Sequence, residues 1–199
     1  MALTPSAEIQ KCPWCAGDAL MEAYHDGEWG VPVYDDAAML EHLMLETFQA
    51  GLSWRTVLYK REALRARLQG FDAEALVRST DSDRAAFLAD PAVIRNRLKY
   101  DAALHNARCM LEFREHHGTG FADYLWDWVG GTPLDGRRQG GWPATSPESD
   151  DLSARLKSAG FKFVGSTILY AHMQATGLIN DHWTTCPRYE AVKVLARTP

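Results

Sequence analysis

Apolar side chains recur along this chain at helical spacing, and alternation of apolar and polar residues never persists beyond a few positions. From Asp35 to Ser53 the residues Met39, Leu40, Leu43, Met44, Phe48 and Leu52 share one face. Asp35 or Asp36 offers an N-cap, and Gly51 marks the far end. A second helix is predicted from Trp54 to Gln69, with Val57, Leu58, Leu64 and Leu68 inward and Lys60, Arg61, Arg65 and Arg67 outward. Asp72 is expected to cap Ala73 to Val77, and Thr80 or Asp81 to cap a stretch through Leu88. Pro91 suits a first helical turn, so Val93 to His117 reads as one long helix with a weak point near Tyr100. Phe121 to Val129 reads as a short aromatic helix.

Gly130 to Pro147 is rich in turn residues and is the one segment expected to be a flexible loop. Ser146-Pro147 restarts a helix that runs to about Ala159. Gly160-Phe-Lys-Phe-Val-Gly165 reads as a tight hairpin, followed by a helix from Ser166 to Thr176. There are no repeats and no low-complexity tracts. The pattern predicts an all-α fold.

Composition narrows the class. A chain of 199 residues, 46% apolar and 24% charged, can bury a core as one domain without cross-links. The net charge of −5 argues against a strongly basic, histone-like binder, yet leaves room for a local basic face. No run of 18 apolar residues occurs, and MALTPSAEIQKC lacks the basic-then-apolar pattern of a signal peptide, so the expected setting is the cytoplasm. Four cysteines in that setting stay reduced, which favours metal binding over disulfides.

Four features carry candidate chemistry. Cys12-Pro-Trp-Cys15 and His182-x-x-x-Cys186 are two short-spaced pairs of the kind zinc recruits from distant parts of a chain; spacing alone favours Cys12, Cys15, His182 and Cys186 as ligands. The plain alternative is a coincidental CxxC. The hairpin of residues 160–165 presents backbone N–H groups at a helix start, a site for a nucleic-acid phosphate, or else it is an ordinary corner whose glycines end helices. Glu46 stands among apolar neighbours, where a carboxylate is paired or functional unless it lies at the helix's polar edge. Finally, Tyr24-His-Asp-Gly-Glu-Trp-Gly30, with Trp14 and Trp54, reads as aromatics in a polar, Gly/Asp-rich loop, suited to stacking on a flipped base or to pinning an N-terminal arm.

Taken in order, Cys-Pro-Trp-Cys, Ala23-Tyr-His-Asp-Gly-Glu-Trp-Gly-Val-Pro32, Leu45-Glu46, Gln49-Ala-Gly-Leu-Ser-Trp54, Gly160-Phe-Lys-Phe-Val-Gly165 and Asn180-Asp-His182 resemble the 3-methyladenine DNA glycosylase I family of the helix-hairpin-helix DNA glycosylase superfamily. The likeness spans about Lys11 to Cys186. It implies a single two-lobed glycosylase domain over residues 1–199, with the helix-hairpin-helix at about 154–177. It also implies structural Zn²⁺ clamping residues 12–25 to residues 182–186, on Cys12, His25, His182 and Cys186, which makes Cys15 the spare thiol.

The same resemblance implies a base pocket in which Glu46 reads the adenine edge, Tyr24 and Trp54 stack, and Trp14 and Trp29 lie close by. Gly160, Lys162 and Gly165 then hold the DNA backbone. Asp181 stands just past the hairpin helix, where many superfamily members carry a catalytic aspartate, as a candidate for that role or for orienting His182. The implied partner is double-stranded DNA bearing alkylated bases, bound by a monomer with no obligate protein partner. Met21 stands where an aromatic residue is expected, and Pro187 to Pro199 match nothing in the pattern. Two other readings compete: a DNA-binding module with a structural zinc and no chemistry, and a thiol redox protein built on Cys12 and Cys15. Glu46 beside the tryptophans discriminates against the first, and zinc content against the second.

Overall fold

The computed structural model describes residues 10–196; the N-terminal reading of residues 1–9 and the last residues of the tail, 197–199, lie outside them. Ten α-helices and one two-residue parallel ladder make up the described residues, together with short 3-10 turns at Pro13–Cys15 and Gln69–Phe71. No helix among them is long and apolar enough to cross a membrane. The all-α expectation holds but for that ladder.

Local capping explains most of the helix starts. Asp35 accepts from the Ala38 amide and opens α2 (Asp36–Gln49); Ser53 accepts from the Thr56 amide and opens α3 (Trp54–Arg67). Asp72 caps α4 (Ala73–Val77), and Thr80 caps α5 (Asp81–Ala89) in a reciprocal box with Asp83. Ser146 does the same with Ser149 for α8 (Pro147–Ser158). The helices α7 (Phe121–Trp128) and α9 (Ser166–Ala175) fall where the pattern puts them.

Four departures stand out. An N-terminal helix, α1 (Ala19–Gly27), occupies what reads as a polar loop, because Asp18 accepts from the amides of Leu20 and Met21 and fixes the first turn. The long helix α6 (Arg97–His117) is unbroken at Tyr100 but begins four residues later than periodicity suggests. Asn96 caps it through the Lys99 amide, while the apolar Val93 ahead of it enters the core from a turn. Arg61 is not outward: its guanidinium bonds Glu28 and Glu41 and is mostly covered. The 130–147 segment is stapled rather than loose, since β1 (Leu134–Asp135) pairs in parallel with β2 (Ile179–Asn180), and the indole of Trp142 donates to the Asp181 carbonyl. A final helix, α10 (Pro187–Lys193), gives the otherwise unreadable tail a packed role through buried Tyr189 and Val192.

The buried apolar residues form two clusters. The larger gathers α2 to α9 around Phe48, Phe87, Tyr100 and Phe121. The smaller holds Cys12, Cys15, Met21, Tyr24, Trp29, Leu58, Ala175 and Cys186, so it joins the N-terminal arm to the C-terminal segment. Trp54 packs against both, which puts it at their seam.

Candidate active site and metal cluster

At the seam lies a cavity of about 250 Å³. That is below the roughly 300–1,000 Å³ of drug-sized sites and of a size for one planar ring system. Its wall includes Glu46 from α2, Met21 and Tyr24 from α1, and Trp54 from α3, with Trp14 and Trp29 from the flanking turns. Met21 and Tyr24 sit three apart and so share one helical face. The rings of Tyr24 and Trp54 have centroids 5.0 Å apart, and Trp14 meets Trp29 edge-on at 5.1 Å.

Three helices must be held in register to build this wall, and ion pairs do it. Asp18, at the start of α1, accepts from Arg55 at 2.7 Å and from the Tyr59 hydroxyl. At the other end Arg61 of α3 bridges Glu28, just past α1, at 2.6 Å and Glu41 of α2 at 2.9 Å. The elements that deliver Tyr24, Glu46 and Trp54 are thereby tied pairwise.

Glu46 is 4% exposed, and its Oε2 is buried with no hydrogen-bond partner among the described residues. Burial alone pushes its carboxyl up to about 8. The same burial, followed by the Glu46 charge, holds the Tyr24 phenol well above its usual value, so Tyr24 keeps its proton. A carboxyl group of this kind is costly to the fold and must be held by its surroundings. It therefore lies inside, not at the polar edge of its helix.

Gln49, Trp142 and Gln174 also line the cavity, and the sequence did not single them out for it. Gln49 was within reach, one turn beyond Glu46 on the same helix face. Trp142 and Gln174 arrive through chain segments far from α2 and leave no local signal.

Cys12, His25, His182 and Cys186 converge at the base of the smaller cluster, with donor atoms all within 4.8 Å of one another and every residue buried. Cys12 Sγ lies 3.7 Å and Cys186 Sγ 3.9 Å from His182 Nδ1, and Cys186 Sγ lies 3.6 Å from His25 Nε2. Bond lengths of about 2.3 Å to sulfur and 2.0–2.1 Å to nitrogen give a tetrahedron with edges of about 3.4–3.8 Å. The far ring nitrogens are engaged as metal-binding histidines require: His25 Nδ1 meets Asp26 at 2.8 Å, and His182 Nε2 meets the Trp29 carbonyl at 3.1 Å. Gly30 permits the second contact, since a Cβ there would lie 2.9 Å from His182 Nε2. The residues fit a metal ion.

The set chosen by spacing alone is not the one that converges. Cys15 is buried beside the cluster, but its thiol donates to the Cys12 carbonyl at 3.1 Å. Hydrogen bonding between the two thiols of the cluster chiefly raises the Cys12 thiol above its ordinary value and lowers that of Cys186.

Asp181 does not orient His182. Its buried carboxylate accepts from Arg138 Nε at 2.6 Å through Oδ1, and from Tyr170 at 2.6 Å and Gln174 Nε2 at 2.7 Å through Oδ2. Gly136 makes room, because a Cβ there would fall 2.0 Å from Oδ1.

The 160–165 hairpin turns through Gly160 at φ +91° and Phe163 at φ +55°. The Gly160 amide closes α8 on the Lys157 carbonyl, and the Lys162 amide is used by Asn106 at 2.8 Å. Neither is available to a ligand. Among the described residues, the amides of Phe163, Val164 and Gly165 enter no backbone hydrogen bond.

The family model for methyladenine glycosylase matches residues 14–189. DNA-3-methyladenine glycosylase 1 of Escherichia coli (strain K12) is 42% identical over 187 residues, which is 93% of this chain and 100% of that protein. A crystal structure of 3-methyladenine DNA glycosylase I superposes with a TM-score of 0.85 at 44% identity, over 89% of this chain and 98% of the other. A structure of 3-methyladenine recognition by 3-methyladenine DNA glycosylase I from Staphylococcus aureus gives a TM-score of 0.85 at 31% identity, over 93% and 97%. With an aromatic cavity around a buried carboxyl and matches over nearly its whole length, the chain belongs to the methyladenine glycosylase family.

Proposed function

We propose that this protein hydrolyses the N-glycosidic bond of 3-methyladenine in alkylated double-stranded DNA, as a single-domain monomer in the cytoplasm. The observation that carries the reading is Glu46, buried without a partner among the described residues in a cavity walled by aromatic rings. A module that only binds DNA has no use for so costly a group.

N3-methylation leaves adenine cationic, which weakens its bond to the sugar before any enzyme acts. The flipped base enters the cavity, where Tyr24 and Trp54 stack on it and Trp14 and Trp29 close the wall. The ring faces favour a cation, and the Glu46 carboxylate accepts from the exocyclic amine. The glycosidic bond breaks with its electron pair going to the base, which leaves neutral. Water adds to C1′ of the oxocarbenium-like sugar and loses its proton to solvent. Unmodified adenine is neutral, so it gains less from both contacts and is bound less well. Single-turnover base release from methylated DNA, with the products identified, is the test; absence of 3-methyladenine among them refutes the reading.

Zn²⁺ suits the two-Cys, two-His donor set, and with all four positions filled by protein its role is structural. It would clamp the N-terminal arm, and with it α1, to the segment after β2. Cys12 is thereby committed to a metal and has no exchange partner in Cys15, which weighs against the thiol redox reading.

The hairpin between α8 and α9, the helix-hairpin-helix of residues 154–177, is assigned to a DNA phosphate. The amides of Phe163 to Gly165 serve as donors, and exposed Lys162 adds charge. Gly165 offers a clean probe: it has φ −67°, and a Cβ there meets no atom within 4 Å. Gly165→Val is expected to weaken DNA binding for every sequence while leaving metal content and melting intact. Unchanged affinity at moderate salt would refute the phosphate role.

A further inference from the structure

We infer that Gln174 is a second reader of the base, a hydrogen-bond acceptor locked in that orientation by Asp181, and that it selects a 6-amino over a 6-oxo purine. The inference rests on the glycosylase reading above. It starts from a network that the proposed chemistry does not use. Arg138 donates to Asp181 Oδ1 at 2.6 Å and to the Tyr170 oxygen at 2.8 Å, because a guanidinium has no acceptor. The Tyr170 oxygen thus receives one hydrogen, and its own goes to Asp181 Oδ2 at 2.6 Å. Burial, then the neighbouring carboxylate, hold that phenol above its usual range, which keeps the proton in place.

Gln174 completes the set, with its side-chain nitrogen 2.7 Å from the same Oδ2. An amide's nitrogen and oxygen are told apart by such partners. Turning this one round would press a carbonyl oxygen against a carboxylate, so Nε2 must face Asp181. The group that Gln174 has left to offer is its Oε1, which has no hydrogen-bond partner among the described residues. Gln174 lines the cavity that also holds Glu46. Two side chains that line one cavity, Glu46 and Gln174, thus each have an acceptor left to offer.

The exocyclic amine of a 6-aminopurine carries two hydrogens. One is matched by Glu46, and the second by Gln174. A 6-oxopurine brings an oxygen to the same place and meets two acceptors, leaving buried groups unpaired, which is how a site rejects an isostere most strongly. Asp181 in this scheme is a positioning residue. Arg138 comes from the stapled 130–147 segment, so that segment sets the polarity of the pocket as well as closing its side with Trp142.

The experiment compares single-turnover release of 3-methyladenine and 3-methylguanine from methylated DNA by the full-length protein, by Q174L and by D181N. Q174L is expected to release 3-methyladenine roughly 3- to 10-fold more slowly, the worth of one neutral hydrogen bond, and 3-methylguanine no more slowly. In D181N an amide nitrogen replaces the Oδ2 acceptor, so the Gln174 amide can turn and present its NH₂ group. The ratio of 3-methyladenine to 3-methylguanine release is then expected to fall by a similar factor. A merely structural role would slow both products alike and leave the ratio fixed. A ratio unchanged in Q174L overturns the inference even if D181N fails to fold. A wild-type protein that releases no 3-methyladenine overturns the functional reading itself, a distinct outcome.

Discussion

Cys186→Ala is expected to lose the bound metal and to lower the melting midpoint by on the order of 10–20 °C, while Cys15→Ser keeps both within error. A clip between residues 12 and 186 closes nearly the whole chain. If it acts as a cross-link does, it restricts the unfolded state by about 5 kcal/mol. For a domain of this size each kcal/mol moves the midpoint by roughly 2–4 °C. Cys15 differs because its thiol only donates to the Cys12 carbonyl, a contact that a serine hydroxyl repeats. The clamp also bears on function. His25 follows Tyr24 directly on α1, so releasing the arm frees one wall of the cavity, and base release should fall with metal content. Metal analysis and melts of the two variants decide the matter. Zinc lost from Cys15→Ser, or retained by Cys186→Ala, would sink this ligand set.

Local chemistry made much of the fold legible. Asp35, Asp72, Thr80 and Ser146 announce their helices because a cap is a bond between neighbours in sequence. The same logic explains the error at α6, where the apolar Val93 extended the periodic face past the true cap, Asn96. It also explains α1: Asp18 was an available cap, but Gly27 and Gly30 close behind made the segment read as a loop. The ladder between Leu134–Asp135 and Ile179–Asn180 had no signal at all. Two residues carry no alternation, and the partner lies in a distant part of the chain.

The site divides along the same line. Glu46 was conspicuous because a carboxylate on an apolar helix face is anomalous whatever surrounds it. The metal set was legible in part: spacing picked out Cys12, His182 and Cys186 but put Cys15 where His25 stands, because His25 reaches the cluster only as α1 folds back on the C-terminal segment, a tertiary fact. Gln174 was opaque, and Asp181 was noticed but given the wrong partner, for a related reason. An ordinary glutamine and an ordinary aspartate gain their roles only when Arg138 and Tyr170 converge on the same carboxylate.

Glu46→Gln is expected to slow 3-methyladenine excision by roughly 10- to 150-fold above pH 8, and by progressively less as pH falls toward 6. A charge-assisted hydrogen bond is worth roughly 1.5–3 kcal/mol, and each 1.4 kcal/mol is a tenfold change in rate. Glutamine has the shape of the protonated acid, and burial raises the Glu46 carboxyl to about 8. Only above that value is the free protein's Glu46 mostly the carboxylate that a cationic base prefers. Wild-type kcat/KM should therefore rise with pH to a plateau beyond about 8, since this parameter reports the free enzyme's ionisation, and the variant should show no such rise. Stability runs the other way. Between the unfolded value near 4.5 and about 8 the folded state binds the extra proton, so wild-type stability declines as pH rises through that window. Glu46→Gln escapes the decline and should be the more stable protein at pH 8, by on the order of a few kcal/mol. Rate profiles and melts of both proteins from pH 5.5 to about 9 provide the measurement. Parallel rate profiles, or near-normal release by Glu46→Gln at high pH, would mean that the base is read elsewhere than at this carboxylate.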